Sequence, residues 1–508
     1  MKLWPFNRKE PVLKKSVRSF AGSVFGRLVN DWVAQSSAAD SEIRTSLRAL
    51  RNRSRQMVRD NDYAKNAIRA VQNNVIGQGI KLQSQVKMQR GGTHNDALNN
   101  KIEALWGEWC RAQNCHTGGI LSFNDIERLL IGSVAESGEV LVRLVFQPFG
   151  SSKVPFALEV IESDQLMDER NGRHDNDNEI RMGVERNEWG RPAAYWFFPH
   201  HPGDYQFQTV QPSKYKRILA KEVIHLYRME RPGQTRGVPW FAAGLKRLHH
   251  MAGYEEAEVI SARASAAIMG FIETPEGELE ADGVQDGQRV SSFDPGKIEV
   301  LSPGEKFTSF APTRPGGQHE PFMRAMLRAF AAGIGVSYET ISKDYSQSNY
   351  SSSRLALLDD RDNWRVLQSW MIANFHQRIF EAWLDAAVMS GALVLPAYEV
   401  SPHLYTGVKW CPRGWSWVDP VKEVKAYKEA VRCGFMTQSD VVTQSGGDFN
   451  EMLEQRAHEI EMAEKVGVVF DTDPSQVDSN GKGQIAEPTD AADEEAAPAD
   501  AVSDTEDK

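Results

Sequence analysis

From Arg354 to Ser390 the chain runs 37 residues without a glycine or a proline. Both of the strongest helix breakers are therefore missing from one unusually long stretch. Leu355, Leu358, Leu367, Met371, Phe375, Ile379, Trp383 and Ala387 recur there mostly at three- and four-residue steps, which is the signature of one helical face. At 1.5 Å per residue such a helix is roughly 55 Å long. Gly391 supplies its stop, and Ser351, Ser352 and Ser353 are candidate N-caps. Immediately before it, residues 342–353 read Ser-Lys-Asp-Tyr-Ser-Gln-Ser-Asn-Tyr-Ser-Ser-Ser. Half of these residues are serine and none is aliphatic, so the stretch buries too little apolar surface to offset the entropy of ordering it. The pattern predicts a polar, mobile loop. A shorter helix over 321–332, with Pro321 at its first position, precedes it.

A chain of 508 residues, 41% apolar and 25% charged, is large enough for more than one domain. Its net charge of −10 is unevenly spread. Residues 471–508 hold twelve Asp/Glu and two Lys and carry the whole −10, leaving the other 470 residues neutral. Residues 1–70 hold fifteen Lys/Arg against six Asp/Glu. The asymmetry, rather than the total, bears on partners. Four cysteines (Cys110, Cys115, Cys411 and Cys433) fit a reducing compartment with no disulfide framework. No run approaches 18 apolar residues, and the start lacks the apolar segment of a secretory signal.

In chain order, residues 1–40 form a basic arm with aromatics among its cations. Two helices follow over 41–77, broken near Asp60-Asn61-Asp62; Arg48, Arg51, Arg53, Arg55 and Arg59 crowd the first as a solvated cationic face or as a contact for nucleic acid or an acidic partner. A strand is predicted at 80–85, helices at 95–112 and 123–136, and a strand at 139–146. Residues 155–228 are mainly β, with strands at 156–161, 181–186, 193–198 and 223–228. A second long helix is expected over 236–270. Five prolines and seven glycines then punctuate a compact β-rich segment, 271–317. Beyond an aromatic stretch with Trp410, Trp415 and Trp417, three short helices span 420–433, 438–444 and 449–465, with Thr437/Asp440 and Asp448/Glu451 as cap pairs. The acidic remainder, rich in Ala and Pro, has the composition of a disordered tail. The fold class is α+β.

No phosphate loop, dinucleotide-binding turn or nucleophile elbow occurs. Cys110, Cys115 and His116 lack the second pair of a zinc site. His249, His250, Glu255, Glu256 and Glu258 match no di-metal spacing. Asp359, Asp360 and Asp362 invite a two-metal nuclease reading, but Arg361 and Arg365 sit among them and favour a charged bend. His174-Asp-Asn-Asp-Asn-Glu179 lacks the glycine and closing glutamate of a calcium loop. No cofactor or metal is called for.

Six blocks in order resemble the portal proteins of tailed bacteriophages, the lambda-like portal family, over roughly residues 40–467. They are Asn61-Asp-Tyr-Ala-Lys-Asn-Ala-Ile-Arg69 leading to Val75-Ile-Gly-Gln-Gly-Ile80; Leu158-Glu-Val-Ile-Glu-Ser-Asp164; Gly190-Arg-Pro-Ala-Ala-Tyr195; Arg231-Pro-Gly-Gln-Thr-Arg-Gly-Val-Pro-Trp240; Ser337-Tyr-Glu-Thr-Ile-Ser-Lys-Asp-Tyr345 with Asn349-Tyr-Ser-Ser352; and Asp419-Pro-Val-Lys-Glu423. The resemblance implies a ring, usually of twelve subunits, at one capsid vertex. It implies an arm (1–40), an α+β wing (41–237), a first stem helix (238–270), a clip (271–317), a second stem helix (318–335), a tunnel loop (336–353), a long wing helix with its following segment (354–418), crown helices (419–467) and an acidic tail (468–508). It implies as partners double-stranded DNA read without sequence preference, a terminase, head-completion and tail connector proteins, and major capsid and scaffold proteins. No membrane and no catalytic role are implied, and the place is the virion after assembly in the host cytoplasm. Lys343, Tyr345, Ser346, Gln347, Ser348 and Asn349 are then the residues expected to face DNA. Packing of part of this loop between subunits is the competing reading. A metal-dependent nuclease or packaging enzyme, and an adaptor without a channel, are the alternative functions.

Overall fold

The computed structural model describes residues 36–87, 95–174, 176–204, 215–267, 270–273, 284–285, 288–289, 306–309, 317, 319–415, 420–468 and 470. Most of the basic arm, most of 271–317 and the acidic tail therefore lie outside the described residues. Helices α1 (Ala39–Asp60) and α2 (Asp62–Val75) meet at Asn61. Strand β1 (Lys81–Ser84), α3 (Asp96–Trp109), the single turn α4 (Ala112–Cys115) and α5 (Phe123–Ser137) follow. Then come β2 (Glu139–Val145), β3 (Ala157–Ile161), β4 (Gly172–Arg173), β5 (Glu179–Arg181), β6 (Val184–Arg186), β7 (Pro192–Phe197), β8 (Lys216–Leu219) and β9 (Val223–Tyr227). Helix α6 (Leu245–Ala267) leads to β10 (Gly270–Glu273), β11 (Val284–Gln285), β12 (Gln288–Arg289) and β13 (Lys306–Ser309). The chain then forms α7 (His319–Ile334), α8 (Tyr338–Ser342), α9 (Tyr350–Met371), a π turn (Ile372–His376) and α10 (Gln377–Met389). It closes with β14 (Val408–Cys411), α11 (Pro420–Arg432), α12 (Gln438–Gln444) and α13 (Phe449–Val466).

The chain divides into two compact units, one of residues 1–72 and 111–390, the other of 73–110 and 391–508. In the second unit β1 pairs antiparallel with β14, Leu82 opposite Trp410. Trp410 packs edge-on against Trp106 of α3. This pairing, between strands more than 300 residues apart, carries no local signal. The Thr437/Asp440 capping box forms as the spacing predicts. Asp448 caps α13 too, but Glu451 reaches Lys81 rather than back to the cap.

In the first unit β2 lies between β3 and β9, and β4 to β8 form an antiparallel meander. Leu141, Ile161, Val184, Tyr195, Phe197 and Val223 make one cluster of the core. Two expectations are corrected here. Residues 181–186 are not one strand: Met182 and Gly183 adopt positive φ and fold the chain into the β5–β6 hairpin. The helix expected from Arg236 begins only at Leu245, because Arg236 and Gly237 at its expected start are held elsewhere.

What holds them is Glu139. Its carboxylate is fully buried and accepts from Arg236 Nε at 2.8 Å and Nη2 at 2.5 Å, Arg51 Nη2 at 2.9 Å, His225 Nε2 at 2.9 Å and the Gly237 amide at 2.8 Å. Burial alone would raise its pKa, but the charge of Arg236, the His225 bond and the charge of Arg51 outweigh it and hold the carboxyl well below its usual range. Burial pushes His225 down, against the pull of its bond to Glu139 and of that carboxylate's charge. Arg51 also reaches Asp164 at 3.2 Å, and Arg55 bridges Asp164 at 2.5 Å and Glu162 at 2.9 Å. Three arginines thus meet three carboxylates. The cationic face expected on α1 is turned inward at these two positions, and Arg48 and Arg59 pair outside with Glu169 and Asp60. Backbone shape completes the knot. Gly138 ends α5 at φ +90°, and a Cβ there would meet the Val238 backbone; one on Gly237 would collide with the Gly138 carbonyl.

Candidate nucleic-acid interface

The loop between α8 and α9 is built from both sides. Ser337 caps α8 by accepting from the Thr340 amide. Asp360, a buried residue of α9, accepts from the Ser337 amide, the Ser337 hydroxyl and the Thr340 hydroxyl, each at 2.7 Å. At the other end of α8, Asn66 donates to the carbonyls of Thr340 and Ile341. A five-residue helix, too short to stand alone, is thereby fixed by α2 and α9. Lys343 ends it at φ +58°, a left-handed conformation unusual for a side chain of its length.

Asp344 then organises the loop. It accepts from the Ser346 amide at 3.0 Å, the Ser346 hydroxyl at 2.6 Å and the Tyr338 hydroxyl at 2.8 Å, and lies 3.6 Å from Arg324 of α7. The Ser346 bonds, then Tyr338 and Arg324, lower its pKa to about 2. Ser348 donates from its hydroxyl to the Tyr345 carbonyl. Asn349 is the true N-cap of α9, in a reciprocal box with Ser352. The helix therefore starts at Tyr350, and Ser351 to Ser353 lie within it rather than capping it. The remainder, 343–349, is tied by its own hydrogen bonds rather than by apolar packing.

Of the six residues singled out, Ser346, Ser348 and Asn349 spend side-chain groups inside the loop. Lys343, Tyr345 and Gln347 are exposed, and no bond among the described residues engages their side chains. Tyr350 joins them, 63% exposed. The surface offered is one ammonium, two phenols and one amide, against an aspartate already matched inside. The Asn349-x-x-Ser352 spacing was the signal that could have placed the helix start; nothing local could have disclosed Asp360 or Asn66.

The three aspartates of the nuclease reading go to separate partners: Asp360 inward to α8, Asp362 to Arg365 at 2.8 Å, and Asp359 exposed. Among the described residues the one group of three candidate ligands within mutual reach is Glu162, Asp164 and His201, and Arg55 already bridges its two carboxylates. Cys115 is buried, donates to the Leu121 carbonyl and has its thiol pushed up to about 12, which disfavours the thiolate a metal needs. In the 174–179 segment Asn176 and Asn178 donate to Glu185, and Glu179 opens β5. His249 and His250 are both exposed. Among the described residues no helix is long and apolar enough to cross a membrane.

Comparison with known proteins follows the same line. A family model described as phage portal protein, lambda family, matches residues 25–368. The "Probable portal protein" of Halomonas phage phiHAP-1 is 32% identical over 473 residues, covering 91% of this chain and 89% of that one. "Portal protein B" of Escherichia phage lambda is 22% identical over 491 residues, covering 87% and 90%. Among solved structures, a chain from the virion of a native gene transfer agent particle has a TM-score of 0.42 at 13% identity, covering 83% of this chain and 98% of that one. One from the neck of an empty particle of that kind has 0.43 at 13%, covering 78% and 93%.

Proposed function

Because the chain belongs to the lambda family of phage portal proteins, we propose that its copies close into a ring at one capsid vertex, usually of twelve, through which double-stranded DNA enters and leaves. Portal function itself is what the family match establishes. In the proposal, residues 336–353 line the bore and Lys343, Tyr345 and Gln347 touch the passing duplex. The observation that carries it is the chemistry of residues 343–349: polar and mostly exposed, with one cation, Lys343, beside an aspartate whose bonds are made inside the loop.

A closed ring multiplies each side chain by the number of subunits. One Lys343 per chain becomes a girdle, and phosphate contacts add up steeply. A channel that moves duplex must hold it weakly, so one cation per subunit flanked by hydroxyls and an amide suits the task, and such groups contact phosphate and sugar without reading sequence. The proposal also assigns docking of terminase, and later of head-completion and tail connector proteins, to residues 271–317. It assigns contact with capsid or scaffold proteins to the basic arm. Assembly takes place in the host cytoplasm, and hydrolysis of ATP is left to a separate motor.

Two experiments test this reading. Replacing Ser346 and Ser348 with Arg should slow packaging while rings assemble normally; unimpeded packaging by that variant would remove the loop from the bore. Negative-stain images should show rings with a central hole. A protein that stays a lone subunit in the presence of capsid partners and DNA sinks the proposal.

A further inference from the structure

A cleft of about 490 Å³ opens in the first unit between the end of the β6–β7 hairpin, the β8–β9 connection, the loop before α6 and the start of α10. Its charged lining has one sign. Arg186, Arg191, Lys221 and Arg378 face it, and among the described residues no Asp or Glu does. Arg186 is partly spent: it donates to the Gly190 carbonyl and the Thr235 hydroxyl and lies 3.8 Å from Asp40. The other three are not. Arg378 has one long contact, 3.5 Å to the Val223 carbonyl, while Arg191 and Lys221 are exposed and their side chains make no hydrogen bond or ion pair among the described residues. Two carboxylates stand behind the floor and both are already engaged: Glu139, bonded to His225, is shared by Arg236 and Arg51, and Asp40 accepts from Thr235 and pairs with Arg181 at 3.2 Å. Glu222 and Glu230 flank the cleft in sequence without lining it.

Like charges gathered around a concave space repel one another, and a chain that keeps them there without counter-charges leaves an anion's place open. Two of the three free cations are arginines, whose planar forks match phosphate oxygens two at a time. The volume exceeds what an inorganic anion needs and falls in the range of small-ligand clefts. Apart from Gln234 and Thr235 the rest of the wall is mainly apolar or aromatic: Met229 is exposed, and the hydroxyl of Tyr227 donates to the Gln234 carbonyl, which leaves the ring as surface.

We propose that this cleft binds a phosphate ester of nucleotide size, with Arg191, Lys221 and Arg378 on the phosphates and Tyr227 and Met229 against the body. The phosphate comes either from a free nucleotide or from the backbone of a nucleic-acid strand, and the two sources are separable. The site is independent of the 336–353 loop.

Calorimetric titration of the full chain tests it with four probes: inorganic phosphate, a deoxynucleoside triphosphate without divalent cation, a short DNA duplex and an acidic peptide of equal charge. The wild type should bind the nucleotide saturably and more tightly than inorganic phosphate. Arg191→Gln combined with Lys221→Gln removes two exposed, unpaired cations and should weaken binding by about tenfold or more. Lys425→Gln, which removes an exposed cation of α11, should leave it unchanged. Duplex binding that the double variant weakens assigns the phosphate to a strand; nucleotide binding that it weakens, with duplex binding unaltered, assigns it to a free ligand. The proposal falls if no phosphate probe binds, if the double variant binds as well as the wild type, or if the acidic peptide binds at least as tightly as the phosphates.

Discussion

Glu139 and Asp344 are both carboxylates ringed by donors, yet one sits in a knot that fixes the unit and the other in a loop that is left exposed. Around Glu139 the donors come from α1, β9 and the residues before α6, nearly 190 residues apart along the chain, and all are buried. Around Asp344 the closest donors come from residues within six positions, and the side chains beside them face solvent. The same chemistry makes architecture where water is excluded and a shaped but weakly held surface where it is not, because an unpaired buried charge costs far more than an exposed one.

The comparison breaks most visibly at the knot. Glu139→Gln leaves Arg236 and Arg51 buried with their main counter-charge gone, and should cost about 3–5 kcal/mol; denaturant unfolding measures it, and a cost under about 1 kcal/mol would mean that water replaces the carboxylate. Gly237→Ala, which drives a methyl into the Gly138 carbonyl, should cost about 1–3 kcal/mol in the same assay.

Acid separates the two sites next. His225 titrates below its ordinary range in the folded chain because it is buried. The unfolded chain therefore takes up that proton first, so stability is full above about pH 6.5 and declines as pH falls below it. Glu139, held low as well, adds its own loss once the pH falls below about 4.5, its ordinary value, and continues to do so down to its depressed folded value. Asp344, at about 2, keeps its bonds above its ordinary range and loses them as pH falls through that value. Thermal melts should thus weaken from pH 7 to 5 while the protection of the Ser346 amide, its exchange rate relative to the intrinsic rate at each pH, stays constant; a flat melting profile there would move the proton uptake away from the knot.

Asp360→Asn should cost about 1–2 kcal/mol, since α8 loses a charged acceptor for three donors. The smallest effect belongs to the loop. Ser346→Arg with Ser348→Arg should alter unfolding free energy by no more than about 0.5 kcal/mol, and a larger change would show that the loop is structural after all.

Local pattern alone determined much of this protein. The long helix, the three closing helices, the Thr437 box and the polar stretch before α9 were legible because periodicity, capping and composition act within a few residues. The six ordered blocks carried the family, but not the reason for any of them. That Arg236 and Gly237 close on a buried glutamate, that Arg51 and Arg55 of α1 turn inward, that β1 finds β14 and that Asp360 serves α8 were decided only in three dimensions. A charged side chain has the same spelling whether it is solvated or buried. Which it becomes depends on partners hundreds of residues away, and on whether water can still reach it once they arrive.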